Sequence, residues 1–526
     1  MPDSTVDPST PVIAGVGQVS ERLGEPGYQR RSPVDLAADA ARAALADAGL
    51  ADAAAIDVVA GVRQFEISSA FARAPLGRSD NYPRSVAARI GAAPRRAILE
   101  VTGGQAPQRL VNELAATIAR GESRVALIFG AEAISTIQHY AGREDRPDFT
   151  EHADGGLEDR GYGLGGLASR HNAAHGLTDA PTQYALAENA RRARLKLSRE
   201  AYAGAMGALF APFTAIAAAN PHAAAPVERS AAELVAPSAA NRPIADPYTR
   251  YLVAREKVNQ GAAVLLMSVG AARRLDLEPG RLVFLHGHAD LRERDLLDRP
   301  DLSVSPAAVL AARHALEVAG IGAADLSAID LYSCFPVPVF NVCDGLGIAP
   351  DDPRGLTVTG GLPFFGGAGN NYSMHAIAEI AVRVRADPGC YGFVGANGGI
   401  MGKYSAGVYS TTPVPWRPDA SGRLQAEVDG GPAPDQVNSP DGWALIETYT
   451  TKYRKDGTST GIVVGRLAAD GRRFVARADD DPELLALLRA PEPVGERVYV
   501  RSFGFGNRVT TNPARMDELF PPGAPA

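Results

Sequence analysis

The residues in this chain with the types and spacing to do chemistry are, first, glycines. From Gly355 to Ala406 the sequence reads GLTVTGGLPFFGGAGNNYSMHAIAEIAVRVRADPGCYGFVGANGGIMGKYSA. A strand-like run at 356–359 breaks into glycine-dense turns. A helical run at 375–386 follows, then a second strand at 391–395 that ends in a second glycine turn at 397–402. Glycine allows positive φ and lets the backbone approach another group closely. Two such turns after two strands either close a crowded α/β core or bring two backbone loops to one site. The three cysteines, Cys334, Cys343 and Cys390, have no CxxC spacing, so structural zinc is not expected. His286-Gly287-His288 puts two imidazoles on one face of a strand, but no third ligand stands nearby and no metal is expected.

The same arrangement occurs earlier in the chain. Val101-Thr102-Gly103-Gly104 matches Val358-Thr359-Gly360-Gly361, and each glycine pair precedes a helical run, 108–119 and 375–386. Each helix leads to an apolar strand ending in Gly-Ala, 125–131 and 391–396. Upstream, SPVDLAADAARAALADAGLADAAAIDVV from Ser32 matches SPAAVLAARHALEVAGIGAADLSAIDLY from Ser305. Ser-Pro reads as N-cap and first helical residue, and Ala-Gly as the helix end. Alanine bias can mimic helices but not this punctuation, so the chain reads as a duplicated α/β unit. Alternating strands and helices imply helix-covered sheets, two similar halves on a pseudo-two-fold axis, and the glycine turns of both at one end.

Length and composition narrow the function. The 526 residues are 45% hydrophobic and 21% charged, as in a globular protein. Net charge is −7 with no long basic run, so neither nucleic acid nor an anionic membrane surface is an expected partner. No apolar run approaches the roughly 20 residues of a membrane span. MPDSTVDPSTPV lacks the basic and apolar regions of a secretory signal, and the cysteine usage fits a reducing cytoplasm. GVGQVS begins like a dinucleotide fingerprint but lacks the third glycine and the prompt helix, so no dinucleotide is expected.

Residues 1–10 read as a loose tail. Residues 1–134 with 256–269 form the first half and 270–412 the second. The stretch between them, 135–255, is less regular. It holds a polar, glycine-rich excursion near 142–172 and helices at 182–197 and 198–218, and it reads as a lid or binding layer. TTPVPWRPDASGR is a proline-rich linker. Residues 413–526 then form a small β-rich domain with strands at 442–453, 461–467, 473–477 and 497–503.

The duplicated halves, the Val12-Ile13-Ala14-Gly15-Val16-Gly17 start and the glycine turns resemble the thiolase superfamily, over roughly residues 10–412. The match is closest to the sterol-carrier-protein-type thiolases. The β-rich tail is similar to the additional C-terminal domain of the thiolase-like proteins called type 1. The resemblance implies a thiolase-like α/β fold and an acyl-CoA-handling, acetyl-CoA acetyltransferase-like protein of lipid metabolism.

Thiolases use a nucleophilic cysteine, a second cysteine as acid/base, and an oxyanion hole. Only a thiolate attacks a thioester well and then leaves. This chain departs at each of these positions. The nucleophile position falls on Gly103 or Gly104, and no cysteine occurs before Cys334. His-Asp-Cys-Phe becomes Tyr332-Ser333-Cys334-Phe335, Gly-His-Pro becomes Gly366-Gly367-Ala368, and Cys-x-Gly becomes Asn397-Gly398-Gly399. Ordinary condensation or thiolysis is therefore not expected.

The resemblance leaves Tyr332, Cys334 and His375 as catalytic candidates, and Gly103, Gly104, Gly361, Gly367 and Asn397 as substrate-binding ones. Tyr332 stands at a turn where thiolase-like steroid side-chain aldolases also carry a tyrosine, and a phenol donates to an oxyanion or acts as a weak base. Each residue also has a plainer reading: Tyr332 as a core tyrosine, Cys334 as an inert buried thiol, His375 as a capping or solvent histidine. Two functions stay open. One is a CoA-thioester-binding protein, with no cofactor beyond that ligand, working through Tyr332 and glycine amides. The other is a non-catalytic CoA-binding or scaffold protein whose C-terminal domain docks a protein partner; the resemblance to the aldolases also implies a retro-aldolase acting on an acyl-CoA through Tyr332. Oligomeric state also stays open.

Overall fold

The two matched helices start by different means. At Ser32 the side chain accepts from the Asp35 amide and the Asp35 carboxylate accepts from the Ser32 amide, a capping box that opens helix Pro33–Asp47. Ser305 occupies the equivalent position before helix Pro306–Ala319 but makes no side-chain cap bond. There the Ala307 amide donates to Glu293 instead. The expected Ser-Pro start thus holds in place but, at Ser305, not in mechanism. Both helices lie directly on a strand because a side chain is missing beneath them. A Cβ on Gly17 would collide with the Ala40 carbonyl, and one on Gly287 with the Ala315 carbonyl.

The computed structural model of the chain describes residues 6–163, 169–479 and 481–521. A ten-stranded mixed sheet runs in the spatial order Leu326–Leu331, Tyr391–Gly398, Lys403–Ser410, Val283–Arg292, Pro11–Ser20, Gln260–Ser268, Val125–Glu132, Val58–Gly61, Arg96–Leu99 and Glu158–Asp159. The halves join where Val12 pairs with Phe284 and Ile13 with Val283. Helices Ala106–Ala119 and Tyr372–Ala386 pack together on one face, in a core with Ile13, Val264, Leu266, Val283 and Val394. Pro33–Asp47 and Pro306–Ala319 cover the other face. This is the thiolase-like α/β architecture that the duplication implied.

Several local expectations need correction. Residues 356–359 form no strand. The Asp330 carboxylate accepts from the Val358 and Thr359 amides and from the Thr357 and Thr359 hydroxyls, so apart from the Leu356 carbonyl, which accepts from the Leu331 amide, this backbone bonds a side chain rather than a neighbouring strand. Strand Lys403–Ser410 was not foreseen, because it is buried on both faces and carries no polar–apolar alternation. Parts of the expected tail and of the polar excursion, 1–5 and 164–168, lie outside the described residues. The tail is not loose throughout: Thr10 is buried, and the Pro8 and Thr10 carbonyls accept from Gly270 and Val269. Helix Arg199–Ala219 does have the length and apolar composition to cross a bilayer, contrary to expectation. Its Tyr202, Met206, Phe210 and Phe213 are buried in the core.

A second sheet holds the C-terminal strands. Asp441–Tyr453, Ser459–Leu467 and Arg473–Asp479 run antiparallel, helix Pro482–Leu488 follows, and Arg497–Phe503 and Gly506–Thr510 complete the set. The first strand pairs with both the second and the fourth, and the third pairs in parallel with the fifth. That connectivity is a five-stranded Greek-key barrel of the OB type. Pro243–Ala245 and Tyr248–Thr249, from the stretch between the halves, add two short strands to it. The proline-rich segment before the barrel is pinned down. The His288 ring stacks on Trp416 at 4.6 Å and bonds the Arg417 carbonyl, and His286 bonds that of Thr412.

The difference between the two helix starts is measurable. Ser32→Ala should cost about 1 kcal/mol of unfolding free energy in a urea titration, and Ser305→Ala well under half of that. Equal losses would mean that Ser305 caps its helix in solution.

Candidate functional site

The glycine turns meet where the two central helices begin. The Gly103 amide donates to Asn370 Oδ1 at 3.0 Å, and Ser373 Oγ donates to the Gly104 carbonyl. Tyr332 follows the strand Leu326–Leu331, with its amide bonded to the Gly395 carbonyl and its ring edge-on to Tyr372 at 5.4 Å. Its hydroxyl abuts the Gly104 backbone. A Cβ built on Gly104 would stand inside the phenol oxygen and ring carbon and against the Asn397 carbonyl. The space above Gly104, one of the two positions where the resemblance puts the thiolase nucleophile, is therefore filled by the tyrosine. Among the described residues the Tyr332 hydroxyl has no hydrogen-bond partner.

A helix from the stretch between the halves covers this cluster. Ala180–Arg194 begins on Asp179, whose carboxylate accepts from the Thr182 amide. Its Tyr184 stacks on Phe335 at 4.4 Å, and the Tyr184 hydroxyl accepts from Asn397 Nδ2 at 2.9 Å. Asn397 Nδ2 also lies 3.9 Å from Cys334 Sγ. One turn on, buried Glu188 accepts from the Tyr202 and Tyr248 hydroxyls and from the Val337 amide. Burial pushes its carboxyl up to about 7 against these bonds. Even Tyr332, the most exposed member of the cluster, is only 8% accessible.

The structure brings together Gly103, Gly104, Tyr332, Cys334 and Asn397, with Gly361 beside Ser333. It does not bring His375 there. That imidazole is fully buried against the Phe365 ring at 5.0 Å, where Nδ1 donates to Gln18 Oε1 at 2.7 Å, and burial pushes it down to about 3. It is neither a capping nor a solvent histidine. Cys334 is pushed up to about 12 by burial, so it is a thiol and not a thiolate. The amides of Gly103, Gly361 and Gly367 already donate to Asn370 Oδ1, Thr359 Oγ1 and the Arg255 carbonyl. Of the four glycines expected to supply oxyanion donors, only Gly104 has an amide without an acceptor among the described residues.

Sequence reasoning missed Tyr184 and Glu188, which come from the irregular stretch, and it missed three arginines. Arg255 donates its amide to the Leu362 carbonyl and accepts from the Gly367 amide, so it sits on the Gly-Gly-Leu turn. Its Nε is buried without a partner. Burial, then Arg250 and Arg229, push its pKa down. Arg229 lies over the Tyr251 ring at 4.1 Å. Among the described residues no carboxylate lies within ion-pair distance of Arg229, Arg250 or Arg255. Spacing along the chain gives no hint of this cluster. On the other side of the glycine turns, buried Glu132 accepts from the Phe65 amide, and burial with help from Glu66 pushes its carboxyl up to about 8.

The comparisons with known proteins agree with this geometry. The family pattern described as the thiolase-like protein type 1 additional C-terminal domain matches residues 423–504. A crystal structure of a monomeric SCP2-thiolase-like protein type 1 from Mycobacterium smegmatis is 49% identical, covers 97% of this chain and 100% of its own, and superposes with a TM-score of 0.83. The Ltp2-ChsH2(DUF35) aldolase is 21% identical over 77% of this chain and 98% of its own, with a TM-score of 0.54. Human mitochondrial 3-ketoacyl-CoA thiolase is 20% identical over 77% of this chain and 99% of its own, at 0.55. The last two share the fold alone. No curated protein matches the sequence.

Two measurements check the site's physical reading. Gly104→Ala should cost about 2 kcal/mol through overpacking against Tyr332, and Tyr332→Ala in the same chain should recover part of that loss. Strictly additive costs would remove the contact. Glu132 keeps its proton in the folded state to about pH 8, whereas the unfolded chain releases it near 4.5, as an ordinary glutamate does, so stability falls as pH rises across that window. In thermal melts Glu132→Gln should flatten this decline, and an unchanged slope would mean that Glu132 does not hold a proton.

Proposed function

The chain belongs to the SCP2-thiolase-like proteins of type 1, and from that premise we propose that it binds a CoA thioester between the loop layer and the glycine turns, without a cysteine acyl-enzyme. The observation that carries this reading is the arginine cluster. A half-buried guanidinium with no carboxylate in reach is costly until an anion meets it. Guanidinium forks fit phosphate oxygens, and the Tyr251 ring beside them offers a face to a purine. The nucleotide end of CoA supplies both. From Arg255 a short path leads inward: its amide bonds the Leu362 carbonyl, and the Leu362 amide bonds Ser333 Oγ, next to Tyr332. The thioester end would lie toward Tyr332 and Gly104. With Cys334 protonated and position 104 filled, no acyl-enzyme forms.

A second reading, carbon–carbon cleavage of an acyl-CoA with Tyr332 as proton donor, is favoured by its unpartnered hydroxyl. Burial raises the phenol's pKa, which suits a donor and not a base. We also assign the chain to the cytoplasm, on its three free cysteines, and extend to it the monomeric state stated for the M. smegmatis protein.

Calorimetric titration tests the first reading. CoA should bind saturably and more weakly as salt rises, with Arg229→Ala and Arg255→Ala together weakening it about tenfold. Tyr332→Phe should leave CoA affinity unchanged. No heat from CoA or acetyl-CoA with folded protein would sink the reading.

A further inference from the structure

In an OB barrel the outer face of the second and third strands, between the loop joining strands one and two and the loop joining strands four and five, is where oligonucleotides or oligosaccharides bind. In this chain that face is occupied. Ile462 and Val464 of the second strand and Val475 of the third form one apolar cluster with Leu177, Leu186, Leu296, Leu297 and Leu302 of the body. Arg473, fully buried on the same face, donates to the Leu297 and Arg299 carbonyls. Next to one flanking loop, the Asn507 amide donates to His175 Nε2 at 2.8 Å. Near the other, Lys452 pairs with Asp179, the residue that caps the covering helix. Residues 175–189 thus lie across the barrel where a bound strand would lie.

The polar links continue along that helix. Thr448 Oγ1 donates to the Leu186 carbonyl, Asn189 Nδ2 to the Tyr449 carbonyl, and Arg192 pairs with Glu492 at 2.7 Å. The opposite side of the helix carries Tyr184 and Glu188, which seal Asn397, Cys334 and Phe335. One helix is therefore held on two sides, by the barrel without and by the Tyr332 cluster within. The members of that cluster are nearly inaccessible and lie under this helix, so loosening it would expose them.

We propose that the C-terminal barrel takes the segment 175–192 of its own chain as its ligand and thereby latches the cover of the Tyr332 site. The barrel's partner is internal, and access to the site is set by the strength of that docking. This inference stands whether or not the ligand is a CoA thioester.

Cys334 reports the latch directly, since its thiol lies under the cover and partly exposed Cys390 serves as an internal standard. The full chain is treated with N-ethylmaleimide under native conditions, and labelling of each cysteine is followed by peptide mass spectrometry. Amide exchange in strand Gln260–Ser268 is followed in parallel. Thr448→Val or Glu492→Gln, each of which removes one barrel link, should speed Cys334 labelling about tenfold while exchange in 260–268 stays at its wild-type rate. Unchanged Cys334 labelling in both variants would overturn the latch. So would acceleration in step with exchange of the central strand, which would mean global unfolding. A single-stranded oligonucleotide should not bind the wild-type chain, and saturable binding that competes with the docked segment would show that the face is not committed.

Discussion

The architecture depends on a junction of two residue pairs. Val12 with Phe284 and Ile13 with Val283 are the only pairings between Pro11–Ser20 and Val283–Arg292, and they fuse two half-sheets into one. Because the pairing is antiparallel and central, it relates the halves by an approximate two-fold axis. It also sets the two central helices side by side with their N-termini at one point. The contacts between the two glycine turns, from Gly103–Asn370 to Ser373–Gly104, follow from that convergence. The site is therefore a product of duplication: each half supplies one glycine turn and one helix start, and neither half holds a site alone.

At that point the chain has exchanged a reactive group for a packed one. A tyrosine hydroxyl and a nucleophile side chain cannot share the space above residue 104, since even a methyl group there meets the phenol. The other candidate groups have moved the same way: Cys334 is held as a thiol by burial, and three glycine amides are satisfied within the protein. Among the described residues, groups left without a partner include the Gly104 amide and the Tyr332 hydroxyl at the centre and, at the rim, Nε of Arg255.

Much of the fold was legible because its signals are local. Ser-Pro, Ala-Gly and Val-Thr-Gly-Gly mark ends of elements, and their recurrence marked the halves. Four barrel strands were readable from turn residues, whereas Gly506–Thr510 follows its neighbour too closely to be separated by eye. Lys403–Ser410 was hidden because a strand buried on both faces shows no alternation, and 356–359 misled because its strand-like residues spend their backbone on Asp330. The site was legible only as far as the backbone. Tyr184 and Glu188 lie on the helix expected at 182–197, whose site-facing side nothing in the sequence marks, and the three arginines come from segments with no periodic pattern; only tertiary folding makes them neighbours. His375 shows the reverse case: adjacency to the glycine turn in sequence put it near the site, but in the fold its ring packs on Phe365 and bonds Gln18 instead.

The two-residue strand Glu158–Asp159 is small, but it changes how the molecule meets copies of itself. It pairs with Ile98 and Leu99, and Arg160 behind it ties Glu100, Glu113 and Glu158 into one ionic knot. A sheet edge is a template: its open row of amides and carbonyls invites the next strand, whether from a sister subunit or from a growing fibril. Here the row stops after two residues and turns into charge. At the far edge, Leu326–Leu331 meets only an irregular segment bound to Asp330. The sheet is thus finished at both ends. Among the described residues, neither edge of the ten-stranded sheet presents a long open strand to a second copy.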